Sequence, residues 1–212
     1  MFEVVKSLDN SEKDHSFVAL GYLIDNPIHH AAIIIKFNNN LFQFHFTGSA
    51  IDLSPLSYDF YHKITNIIQA GEVPAFISHC RAIAKQAPPS YGFFYSGDYF
   101  DEEGVYFGNK DVGQRMTCVG FCISTLKGFL EEDYILESDW EFDPDFRPGY
   151  LELYCIRHTL NIDLVKPFWK RITPGQFLAS GYFSKTPIPK ALIDNKYSDL
   201  KEEMVRRAGY FE

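Results

Sequence analysis

Thr117 followed by the apolar stripe Val119, Cys122, Ile123, Leu126 and Leu130 predicts a helix that begins at Cys118 and ends near Glu131, with Thr117 as its N-cap. The capping-box partner is missing, because Gly120 stands where Glu or Gln would be. A cysteine at the start of a helix meets free backbone N–H groups and the positive end of the dipole. Both favour a thiolate, the nucleophilic form, and the same N–H groups can hold an oxyanion as it develops on an attacked carbonyl. The competing reading is structural, since a free cysteine also packs well in a core. Cys122, one turn later on the same stripe, reads as core. Cys118-x-x-x-Cys122 lacks the two further ligands that a zinc site needs.

A thiol nucleophile needs a base. His29 and His30 open the run HHAAIIIKF, in which His30, Ala32 and Ile34 share one strand face and His29, Ala31 and Ile33 the other. Either imidazole can stay neutral at a dry strand entrance and act as a base. His45 lies on the following run, LFQFHFT. With Asn39 at the turn centre, residue 45 falls opposite residue 33. A slip of one places it opposite Ala32, beside His30, where it would tie down the ring as the third member of a triad does. Gln43, two residues earlier on the same face, is the fallback. His15, His62, His79 and His158 show no partner pattern.

The elements that must position these residues are legible in outline. Ser16–Ile24 predicts a buried strand closed by Asp25-Asn26-Pro27. His29–Phe37 and Leu41–Thr47 predict a hairpin around Asn38–Asn40. Ile51–Gln69 reads as loop with a short helix. Pro74 opens a helix that Pro88-Pro89 stops. Tyr91–Phe107 suggests a strand and a loop, and Leu151–Ile156 and Asp163–Val165 suggest strands. Thr173-Pro174 looks like a helix start, and a charged helix spans Leu200–Arg207. Asp139–Phe146 alternates acids with aromatics, but without the central glycine of a calcium loop it reads as an aromatic-anchored acidic loop.

Composition narrows the function. At 212 residues and 46% apolar content, one α+β domain spanning residues 1–212 is expected, with 187–212 as a peripheral extension. A net charge of −8 with no basic cluster argues against nucleic acid. No apolar run reaches membrane-spanning length, and the N-terminal stretch does not read as a signal, so the expected location is cytoplasmic. Four cysteines in a chain this long are expected to be reduced.

The order of hairpin histidine, return-strand polar residue and helix-start cysteine resembles the circularly permuted branch of the NlpC-type papain-like cysteine hydrolases. That branch includes the lecithin–retinol acyltransferase-like proteins and bacterial permuted hydrolases. HAAIII from His30, TCVGFCISTL around Cys118 and ITPGQFLASGYF from Ile172 carry the resemblance. Alanine at position 32, where the family often has glycine, and Val119-Gly120, where the acyltransferase-like members are polar, depart from it.

The resemblance implies a papain-like antiparallel sheet packed on the nucleophile's helix. Cys118 would be nucleophile, His30 base and His45 the orienting residue, with His30 rather than His29 facing Cys118. It implies a thiol hydrolase that cleaves a peptide or cell-wall-type amide, or an ester, through an acyl-enzyme, with no metal or organic cofactor. Acyl transfer from a lipid or thioester is the alternative on the same fold, and a binding module without turnover is a third.

Overall fold

A computed structural model describes residues 15–25, 28–58, 61–147 and 149–208. The N-terminal stretch and the Asn26-Pro27 part of the first turn lie outside the described residues. Five strands form one antiparallel sheet: β1 (Phe17–Asp25), β2 (Ile28–Phe37), β3 (Asn40–Phe46), β4 (Ile51–Pro55) and β5 (Tyr61–Ile64), in the order β4-β3-β2-β1-β5. Asn38 and Asn39 both take left-handed backbone (φ 48° and 62°) between the paired residues Phe37 and Asn40. This is the two-residue hairpin turn that asparagine tolerates best after glycine. Ile51–Gln69 therefore supplies two strands rather than loop and helix.

The register Ile33↔Phe44 fixes the faces. Ala31, Ile33, Ile35, Phe44 and Phe46 point into the main core, together with Leu20 and Tyr22 of β1. Ala32 and Ile34 point the other way, into a small cluster with Phe17 and Ala19. Apolar residues on both faces of β2 follow from burial on both sides.

Six α-helices are present among the described residues: α1 (Val73–Ile83), α2 (Cys118–Leu130), α3 (Tyr150–His158), α4 (Ile162–Val165), α5 (Pro174–Ser180) and α6 (Lys190–Ala208). Helix α2 lies on the main-core face. Its Phe121 ring packs 5.1 Å from Phe44 and 6.1 Å from Phe46. The strand Tyr99–Phe100 crosses α2 so closely that a Cβ on Gly128 would stand 1.7 Å from the Phe100 carbonyl oxygen. Only glycine fits there.

Leu151–Ile156 and Asp163–Val165 fall within helices α3 and α4 rather than strands. Leu151, Tyr154 and Cys155 recur at helical spacing and bury against Phe94, Val165 and Trp169 in a second cluster. A six-residue β-rich run does not fix its own period. Helix α6 contributes the buried residues Ile193 and Leu200 to the main core, with Ile188 just before it, so the segment from 187 is not merely peripheral. Its charged positions hid that apolar spacing.

Candidate active site

Cys118 is the first residue of α2. Thr117 caps the helix as its sequence predicts: its Oγ1 accepts a hydrogen bond from the Gly120 N–H at 3.0 Å. The approach to Cys118 is also fixed. Tyr91 pairs in parallel with Met116, two residues before it, and the Tyr154 hydroxyl donates to the Tyr91 carbonyl at 2.7 Å. An antiparallel bridge between Phe94 and Trp169 and a hydrogen bond from Lys170 N–H to the Phe93 carbonyl hold the chain entering α5 against this segment. Helix α5 starts with the full capping box Thr173–Gln176. These pieces enclose a cavity of about 350 Å³ with Cys118 and His29 in its wall.

Burial pushes the Cys118 thiol up from its ordinary pKa, and the backbone N–H groups of Ala31, Val119 and Cys118 itself pull it partway back. The resting sulfur is therefore a thiol, and the standing thiolate expected from a helix start alone is opposed by desolvation. Cys118 still differs from the other three cysteines. Cys80 and Cys122 are sealed in the core and pushed well above the usual thiol range by burial, and Cys155 lies in the second cluster. The Tyr91 phenol is pushed up to about 12 by burial and by the nearby Cys118, so it remains a proton donor at the cavity wall.

His29 shares the strand parity of Ala31 and Ile33, the face on which α2 packs. Its Nδ1 lies 2.7 Å from the Tyr22 hydroxyl on the same face of β1. His29, not His30, lines the cavity with Cys118. The expectation that His30 faces the cysteine fails on parity: His30 belongs to the face of Ala32 and Ile34, away from α2.

His30 and His45 do come together as expected, with Nε2 to Nδ1 at 2.5 Å, because the register is the one-residue slip that sets His45 level with Ala32. They continue to a carboxylate that no sequence pattern singles out. His45 Nε2 lies 3.1 Å from Asp52 Oδ2, which also accepts from Gln43 at 3.1 Å and Ser54 at 2.7 Å. With Asp52 ionised, His45 donates to it and accepts from His30. The result is a neutral two-imidazole relay on the far face of the sheet. Burial opposes ionisation of Asp52, but the hydrogen bonds from Ser54, Gln43 and His45 outweigh it and hold the carboxyl below its usual range.

Burial, reinforced by His45, lowers His30 to about 4. Burial also lowers His45, against the pull of Asp52. A basic group with a folded pKa below its unfolded value takes up its proton more readily when unfolded. Stability is therefore complete above about 6.5 and lost as pH falls toward 4, on the order of 3 kcal/mol for His30. His30→Asn should flatten the acid limb of urea-unfolding stability between pH 6.5 and 4 by about one proton's worth of slope. Parallel limbs in the variant and the parent would remove the relay from the account of acid stability.

Among the described residues, no three His, Cys, Asp or Glu side chains are arranged to share a metal ion, and no helix is long and apolar enough to cross a membrane. The chain matches no protein-family model, no curated protein and no solved structure.

Proposed function

We propose that this protein is a thiol hydrolase of papain-like type, with Cys118 as nucleophile and His29 as general base. The observation that carries this reading is the meeting of a helix-start cysteine and a strand-end imidazole in one open cavity. A carbonyl compound enters the cavity and Cys118 Sγ attacks its carbon while His29 Nε2 takes the thiol proton. The oxyanion forms beside the N-terminal backbone N–H of α2. Collapse expels the amine or alcohol, which takes the proton back from the imidazolium and leaves a thioester on Cys118. Water, deprotonated by His29, then releases the acid. Because the thiol is protonated at rest, proton removal and attack are coupled and the base is essential to the first step.

Tyr22 has a positioning role. A base-competent His29 carries its proton on Nδ1 and donates it to the Tyr22 oxygen, which leaves Nε2 as acceptor. The order of sheet histidine before helix cysteine agrees with the permuted branch of the family. Incubation with p-nitrophenyl acetate and intact-mass spectrometry tests the reading: a single acetyl adduct on Cys118 is expected, and acetylation elsewhere with no burst would overturn it. Tyr22→Phe keeps the buried ring but loses the hydroxyl. It should lower kcat about tenfold with little change in KM, one hydrogen bond to the base being worth about 1 kcal/mol or slightly more. Unchanged kcat would remove Tyr22 from the mechanism.

A further inference from the structure

The cavity that holds Cys118 has a rim whose charge runs against the rest of the chain. The protein carries a net −8, yet Arg147, Lys170 and Arg171 line the cavity and, among the described residues, no carboxylate does. The three cations are not equivalent. Lys170 is nearly buried and paired with Glu137 at 3.2 Å, so it acts as a strut between two segments. Arg147 and Arg171 are exposed and have no carboxylate within ion-pair distance among the described residues.

Aromatic rings hold both guanidinium groups. Arg147 lies 4.6 Å from the Phe93 ring centre and 5.5 Å from that of Tyr150, and Arg171 lies 5.4 Å from that of Phe146. Phe146 also sits 5.9 Å from Arg147, so the two groups converge on one ring. Contact with ring faces uses none of a guanidinium's N–H donors, and that fork of donors suits a bidentate oxyanion. Arg147 also takes left-handed φ (51°), a conformation that disfavours non-glycine residues. The carboxylates of the neighbouring loop, Glu141, Asp143 and Asp145, are not among the lining residues.

We infer that the substrate of this site carries an anionic group, a carboxylate or phosphate, a few bonds from the scissile carbonyl, and that Arg147 and Arg171 bind it. The inference rests on Cys118 being the nucleophile.

Alkylation with two near-isosteric reagents separates the two ideas. Iodoacetamide is neutral and iodoacetate carries a carboxylate. In each case the sulfur displaces iodide to form an S–C bond, and the thiol proton passes to His29 or solvent. The ratio of iodoacetate to iodoacetamide rates at Cys118, read by peptide mass spectrometry, should fall about tenfold in the double variant Arg147→Gln, Arg171→Gln. That factor corresponds to about 1.4 kcal/mol. Arg147→Lys with Arg171→Lys, which keeps the charge but loses the fork, should lie between. The parent ratio should also fall as salt rises.

Labelling by both reagents with the same ratio in all proteins would overturn the anionic substrate and leave the nucleophile in place. Labelling by neither would overturn the nucleophile and the inference with it. Turnover then distinguishes the source of the anion. A preference for p-nitrophenyl hemiglutarate over p-nitrophenyl butyrate places a carboxylate on the acyl side. A preference for butyryl-phosphopantetheine over butyryl-N-acetylcysteamine places a phosphate on the leaving group. Neutral and charged partners turned over equally in both pairs would also overturn the inference.

Discussion

Cys118→Ser is expected to lower ester turnover by about three orders of magnitude or more while leaving the fold intact. The substitution is nearly isosteric and Thr117 still caps the helix. What changes is the atom that attacks. A serine hydroxyl is far less acidic and less nucleophilic than a thiol, and a base arranged around sulfur does not restore it. Loss of the nucleophile alone costs about as much as loss of the whole catalytic group when the members act as a unit. The measurement is the burst and steady state of p-nitrophenyl acetate hydrolysis, corrected for the uncatalysed rate, with a thermal melt to show the fold. Turnover within tenfold of the parent would rule out Cys118 as nucleophile.

His29→Ala should cost about 10²- to 10⁴-fold in turnover, the range for a positioned general base. Burial keeps the Cys118 thiol protonated, so without the imidazole the attack depends on the small ionised fraction. Two features separate this role from a packing effect. The loss should shrink steadily as pH rises and the thiol ionises without help. The double variant Cys118→Ser, His29→Ala should be no slower than Cys118→Ser alone, because both remove one unit. His30→Ala and His45→Ala, on the far face of the sheet, should leave turnover within a few-fold while flattening the loss of stability at acid pH. The reverse pattern, loss at His30 and none at His29, would return the base to His30.

How far the site was legible follows from these residues. The cysteine, its cap and the hairpin each depend on a short window: Thr117 before an apolar helical stripe, and asparagines at a two-residue turn. The choice between adjacent histidines depends on which sheet face α2 covers, and that is a tertiary matter. One signal did bear on it. Phe44 and Phe46 alternate with Gln43 and His45 on β3, so the bulkier face, and the helix above it, had to be that of Ile33 and Ile35, whose parity is that of His29. The likeness of HAAIII to a family pattern pointed instead to His30. Tyr22 was hidden as one more apolar strand residue, and Asp52 fell in a stretch read as loop. Arg147 and Arg171 were invisible because they stand 24 positions apart and only folding brings them to one ring.

The Asn38-Asn39 turn bears on how this chain can be altered. Exposed loop tips usually accept inserted residues, because nothing behind them must stay in phase. This tip is different. β3 carries aromatic rings on one side and a hydrogen-bonded histidine on the other, both buried. One added residue that shifted β3 against β2 by a single step would drive Gln43 and His45 into the oily layer beneath α2 and turn Phe44 and Phe46 outward. A tag, a fused domain or a new pair of chain ends at this site therefore needs a net shift of an even number of residues, or none, to leave the sheet readable from both sides.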